Sequence, residues 1–146
     1  MSFNSLMSLL VAGVLDYVEE KPTVMELGNQ TLRASDEALR LVLERMQGRE
    51  GIDRAGLEAL RDQDVKARGE RAADYYRLLG FSQYDAIDVN ELYGSLVMDL
   101  NKDLVDTYDY RDQFSLVTNN GTGEHVFNQH TIYQNTHQLT EPGGLS

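Results

Sequence analysis

The sequence predicts an α/β fold, a parallel sheet covered by helices. Two observations predict it. Short apolar runs alternate with longer stretches whose apolar residues recur at helical spacing, which is the order of β–α–β units. Each run also ends in polar residues or glycine: Gly28 and Asn29, then Asp88, then Asp99, then Asn119 to Gly121. The chain has 146 residues, about one domain, and is 41% hydrophobic, enough for a packed core.

The elements follow in order. MSFNSLMSLLVAGVLDYVEE opens with a short apolar run, read as an amphipathic helix within residues 1–22 that docks on a domain spanning 23–146. KPTVMELGN (21–29) reads as a turn, a buried strand with Val24, Met25 and Leu27, and a glycine exit. ASDEALRLVLERMQG (34–48) is the clearest helix. Ser35 caps it, Asp36 and Glu37 suit its positive end, Leu39, Val42, Leu43 and Met46 form a stripe, and Gly48 stops it. Residues 49–65 are charged and hold two glycines, so they read as a mobile or loosely helical connection. Glu70 to Leu79 returns to helix, with Ala72, Tyr75, Tyr76 and Leu79 on one side and Gly80 as terminator. YDAIDV (84–89), SLVMDL (95–100) and FSLVTN (114–119) read as strands, the last two separated by the acidic segment 102–112. EHVFNQHTIYQNTHQL (124–139) places Val126, Ile132, Tyr133 and Leu139 near one helical face.

Composition excludes several functions. Lys plus Arg number 13 against 24 Asp plus Glu, a formal charge of −11. That argues against a nucleic-acid partner, whose binding rests on basic residues. The acidic surface serves solubility or a cationic ligand. There is no cysteine, so disulfides, thiolate metal sites and a Cys nucleophile are excluded. The opening run is short of the roughly 20 apolar residues of a membrane span, and no basic residue precedes Lys21 as a signal peptide requires. A cytoplasmic chain with no membrane partner is expected. His125, His130 and His137 lie five and seven apart and share no single helical turn, and H-E-x-x-H is absent. No metal site is expected.

The strand ends carry the functional signal. In an open parallel sheet, ligands bind outside the carboxyl ends of the strands, so four polar ends make one shared rim. NNGTG (119–123) has two readings, a hairpin turn, for which Asn-Gly is a strong signal, or part of that rim. EHVFNQHTIYQ does not alternate with period two as a returning strand would, which favours the rim. Asp88 and Asp99 read as ligand-facing acids or as turn caps, and Glu26 as a site acid or a salt-bridge partner. His125 has the chemistry of a proton acceptor near neutral pH, or of a surface histidine.

The order strand-ELG, strand-acid, strand-D-L, strand-N-N-G-T-G-E-H, helix, L-T-E-P-G-G resembles the class I S-adenosylmethionine-dependent methyltransferases. It is most similar to a subgroup with a G-T-x-E-H-V-F-N segment after the fourth strand. The resemblance spans about Thr23 to Gly144. It implies a Rossmann-like open sheet with Val24–Leu27 between Ala86–Val89 and Leu116–Thr118, and Val97–Met98 outside the second strand. It also implies S-adenosylmethionine as cofactor and a small-molecule methyl acceptor. The family's E-x-G-x-G-x-G loop falls on Glu26, Gly28, Gln30 and Leu32, where only the acid and first glycine match. Asp88 would hold the ribose hydroxyls. Asp99 and Leu100 would lie near the adenine. Asn119, Asn120 and Gly121 through His125 would face the methionine part and the acceptor, with His125 the candidate catalytic residue.

The family's sheet has seven strands, ordered three-two-one-four-five-seven-six. This chain is expected to supply about four, as a truncated form of a longer parent. The fourth strand would then be an uncovered apolar edge through which two chains could pair. Two functions follow: a methyltransferase-type domain, or a binding or interaction module that keeps the fold without the chemistry.

Overall fold

The computed structural model describes residues 2–18, 21–64 and 72–146. Five strands form one wholly parallel sheet: β2 (Thr23–Leu27), β4 (Gln83–Asp88), β5 (Leu96–Val97), β6 (Phe114–Thr118) and β7 (Thr140–Leu145). Its spatial order is β5-β4-β2-β6-β7, the Rossmann-like order, with β2 between β4 and β6 as expected. β1 (Ser2–Asn4) and β3 (Thr31–Arg33) make a separate parallel pair. Three residues each, with no apolar run, left these two unreadable in the sequence.

Helices cover both faces. On one lie α1 (Ser5–Val14), α2 (Asp36–Arg45), α3 (Arg54–Arg61) and α4 (Ala72–Leu78). Their buried residues, including Val11, Leu39, Leu57 and Tyr76, pack with Val24 and Leu116 of the sheet. On the other lie α5 (Leu104–Tyr108) and α6 (Gln129–Leu139), whose Leu104, Ile132 and Leu139 pack with Met25, Leu27, Ile87 and Val117. β2 alternates between the two cores, as a strand buried on both sides must.

α2 forms as read. Ser35 Oγ accepts from Ala38 N at 3.2 Å, the acids occupy the first turn, and Leu39, Val42, Leu43 and Met46 are buried. α4 buries Ala72, Tyr75 and Tyr76, followed by buried Leu79 and by Gly80 at φ +84°. The expected start at Glu70 lies outside the described residues. α1 is capped by Asn4 and tied to α4 where the Tyr75 hydroxyl donates to Ser8 O at 2.7 Å. Leu6 and Leu10 of α1 remain exposed.

Four expectations are corrected. Of the connection expected at 49–65 as mobile or loosely helical, the described part to 64 is firmer than expected: it contains α3, capped by Asp53 and anchored by buried Leu57, and residue 65 lies outside the described residues. The period of α3 was hidden because one residue of eight is buried. The 124–139 stretch begins as a 3₁₀ turn at Gly123–His125, and α6 starts only at Gln129. Tyr133 stands exposed instead of joining the buried face of α6. Finally, β6 is not an edge. β7 pairs along it, with Phe114 opposite Thr140 and Leu116 opposite Leu145, so the pairing of two chains through β6 has no free ladder to use. The Pro-Gly-Gly step lies within β7 and bulges.

One irregularity in β6 matters. Phe114 and Val117 face one core while Leu116 faces the other, so the alternation slips at Ser115. Ser115 Oγ accepts from Thr23 N at 2.7 Å and donates to Thr23 O at 2.9 Å, replacing backbone bonds with its side chain.

Candidate functional site

Glu26 and Gly28 leave the centre of the sheet on β2. Gly28 extends the ladder, its N–H donating to Ile87 O at 2.7 Å, and then turns at φ +83°. Only glycine is at ease there, for a second reason too: a Cβ at 28 would lie 1.9 Å from Thr122 Oγ1. The exits of β2 and β6 thus press together where the strand order reverses.

Gln30 stitches the same seam. Its side chain is 1% exposed, and Nε2 donates to Gly28 O at 3.2 Å and Asn120 O at 3.1 Å. Its Oε1 has no hydrogen-bond partner, and neither do Thr122 Oγ1 and Asn120 Nδ2. Buried polar atoms without partners are uncommon in native folds and call for an explanation.

Beneath this seam sits Glu26, 0% exposed. The Tyr84 hydroxyl donates to Oε2 at 2.6 Å, and the Tyr76 hydroxyl lies 3.5 Å from Oε1. Burial pushes the carboxyl up to about 7, against the pull of Tyr84, the Gln30 backbone and Tyr76. Neutral donors surround it, so the salt-bridge reading does not hold among the described residues.

Outside the carboxyl ends of the strands lies a cavity of about 230 Å³. Gly28, Asp88, Asp99, Leu100 and His125 all line it, joined by Gln30 and Thr122. The four strand exits therefore do share one rim. Asn119, Asn120 and Gly121 do not line the cavity. Asn119 Oδ1 accepts from Gly123 N at 2.8 Å, Asn120 O receives Gln30, and Gly121 turns the chain at φ +74°. The NNGTG segment is no hairpin, and of its residues Thr122 lines the cavity. It folds the β6 exit back so that Thr122 and His125 reach the rim.

The two cavity acids differ in what they have left to offer. Asp88 Oδ2 accepts from Asn29 N at 2.9 Å, and Oδ1 accepts from Val89 N at 2.7 Å and Asn90 Nδ2 at 2.9 Å. A carboxylate has about four lone-pair positions, so one remains, and displacing exposed Asn90 frees a second. Asp99 Oδ1 accepts from the backbone and side chain of Asn101, both at 2.9 Å. These bonds hold its carboxyl below the usual range. Its Oδ2 is uncommitted among the described residues. Among the described residues, no lysine or arginine lines the cavity.

Sequence reasoning missed the supporting residues. Asn135 of α6 is fully buried, accepts from Leu104 N at 3.1 Å and donates to Lys102 O at 2.9 Å, fixing the segment that carries Asp99 and Leu100. Asn29 spans from the β2 exit to Leu92 O and Ser95 Oγ, both at 2.7 Å. Gln30 carried a visible signal, a large amide where the resembled loop has glycine. A wider groove of about 860 Å³ runs beside β7, lined by Arg111, Gln113 and His137. It flanks the amino end of β6, away from the converging strand exits.

Protein-family models, curated proteins and solved structures give no match to this chain. The functional reading therefore rests on the cavity itself.

Proposed function

We propose that the chain is an S-adenosylmethionine-dependent methyltransferase-type domain acting on a small molecule. One observation carries the reading. At the reversal of strand order, where Rossmann-like sheets bind nucleosides, the described residues lining the cavity include two carboxylates and no lysine or arginine. A dinucleotide brings phosphates, which two acids repel. A nucleoside with hydroxyl donors and a cationic tail suits them. The cavity is somewhat below the roughly 300–1,000 Å³ of most small-molecule sites. It takes the nucleoside, and the rest of the ligand needs Thr122 to move off Gly28.

When bound, the cofactor supplies a methyl group on a sulfonium. Asp88 would accept from ribose hydroxyls, with Asp99 and Leu100 against the base. Positioning and exclusion of water carry much of the rate in such a displacement. His125, exposed at the rim, would take the proton of an acceptor that must lose one. A second reading, a binding module without turnover, is favoured by Thr122 occupying the space above Gly28.

Calorimetry with S-adenosylmethionine and its demethylated product tests the proposal. The wild-type chain is expected to bind both. Asp88→Ala should weaken binding by about 1.5–3 kcal/mol per lost charged hydrogen bond. Because Asp88 also holds Asn29, Asp99→Asn serves as the variant with fewer structural ties. Absence of heat at millimolar ligand with folded protein would overturn the cofactor assignment. Binding without methyl transfer to any acceptor would favour the binding module.

A further inference from the structure

We infer that Asn101 is a positioning residue that aims the Asp99 carboxylate at the base of the ligand. The inference rests on the cofactor reading above and adds to it one residue and a selectivity. The backbone around Asp99 is already fixed. Asp99 N donates to the Tyr108 hydroxyl of α5 at 2.9 Å, Lys102 N donates to Asp99 O at 2.9 Å, and Asn135 of α6 donates to Lys102 O at 2.9 Å. What these bonds leave free is rotation of the Asp99 side chain. Asn101 removes that freedom by donating twice to Asp99 Oδ1, from its backbone N and from its side-chain Nδ2, both at 2.9 Å. The backbone bond is open to any residue but proline at 101. The side-chain bond is the contribution of asparagine.

The Asn101 amide is itself oriented by what lies at its other end. Its Oδ1 accepts from Asn128 N at 3.0 Å. A backbone N–H only donates and a carboxylate only accepts, so a flipped amide would set donor against donor and acceptor against acceptor. Asn128 is the cap of α6, its own Oδ1 accepting from Thr131 N at 3.2 Å, so the amide is anchored to a helix. Asp99 and Asn101 line the cavity from the β5 exit, His125 and Val126 line it from the β6 exit, and the amide of Asn101 spans the two segments. With Oδ1 committed, Oδ2 is the oxygen that Asp99 offers a ligand donor. A carboxylate locked before binding loses no side-chain freedom on binding, which is how a supporting residue raises affinity through its neighbour. The gain falls on a base with an N–H at the contacted position, as the 6-amino group of adenine provides. A base without that amine gains nothing from a better aimed acceptor.

The test compares S-adenosylhomocysteine with its purine analogue, in which hydrogen replaces the 6-amino group. Calorimetry is run on the wild-type chain, Asn101→Leu and Asn101→Asp, with circular dichroism to verify folding. Asn101→Leu nearly preserves size and removes both amide bonds. Asn101→Asp keeps an acceptor for Asn128 N and loses the donor to Asp99. The wild type should bind S-adenosylhomocysteine about tenfold tighter than the analogue, the worth of one hydrogen bond to a charged group. In both variants that preference should fall to about threefold or less, with the analogue within about twofold of its wild-type affinity. Equal loss for both ligands would show that Asn101 only supports the fold, and would overturn the positioning role. So would unchanged binding of both, or a wild-type preference retained by Asn101→Asp, since the tie to Asn128 would then suffice. If Asn101→Leu fails to fold, Asn101→Asp decides by the same comparison. A wild-type chain that binds the two ligands equally would leave Asp99 without a contact to the 6-amino group, and would overturn the role as well. One that binds neither would instead overturn the cofactor reading, and the positioning role with it.

Discussion

Glu26 is a carboxyl at the end of a strand, a position that water ordinarily reaches. Here two tyrosines from α4 and β4, 50 and 58 residues further along the chain, close over it. The acid was legible in the sequence, but its depth was not, because depth comes from those distant partners. Its raised pKa has a direction for stability. Below the unfolded value, near 4.5, both states hold the proton. Between there and about 7, the unfolded chain releases it while the folded chain keeps it, so stability falls as pH rises. At about 1.4 kcal/mol per pH unit, the loss reaches about 3 kcal/mol by pH 8. Glu26→Gln removes the proton exchange and nearly preserves shape. Urea denaturation from about pH 4.5 to 8 should show the wild type losing this stability relative to the variant. Parallel curves for the two proteins would place the Glu26 carboxyl in water.

At the scale of elements, α6 does more than cover the sheet. Through Asn135 it holds residues 100–104, and through them the Asp99 side of the cavity. Asn135→Leu keeps the volume but leaves Leu104 N and Lys102 O without their partner. A cost of about 1–3 kcal/mol for each orphaned group is expected as a lower urea midpoint. On the proposed cofactor reading, ligand affinity should fall as well. A midpoint equal to wild type would mean that water replaces Asn135. The same scale shows why some elements could be read and others could not. α2 was plain because its cap, dipole acids and four-residue stripe agree. β7 was hidden because TEPGGL has low strand propensity. It is held instead by pairing with β6, where Gly144 packs so closely that an added Cβ would lie 3.1 Å from Phe114 O and Ser115 O. The exits of β2, β4 and β6 were legible as a rim, since polar residues after apolar runs fix where strands stop. Gln30 as the stitch across that rim was not, because its partner Asn120 lies 90 residues away.

Across the whole molecule, an excess of eleven negative charges surrounds a cavity that itself holds two carboxylates. Such a field discriminates between ligands by charge and should respond to salt. Raising ionic strength from about 0.01 to 1 M shortens the screening length from about 30 to 3 Å. On the proposed cofactor reading, S-adenosylmethionine, a net cation, should lose affinity several-fold over that range, while its demethylated product, a zwitterion of zero net charge, changes little. Equal salt responses would show that the surface charge serves solubility alone. The two outer strands of the sheet are poor templates for further strands. β5 is two residues long, and β7 carries Pro142 beside a bulge. Among the described residues, no helix is long and apolar enough to cross a membrane.

The slip in β6 has a consequence for how this chain tolerates change in length. Deleting one residue from a buried strand normally inverts every side chain on one side of the cut. At Ser115 the inversion already exists, because Phe114 and Leu116, two residues apart, face opposite cores. Removing Ser115 makes those two neighbours, which is what a regular strand needs to point them apart. The deletion loses the side-chain bonds to Thr23 but restores an unbroken period. It should leave a folded protein with its core intact, whereas deleting Leu116 or Val117 should unfold it. Thermal denaturation of the three deletions would rank them, with Ser115 the one position in this strand where a shorter gene still encodes the same two cores.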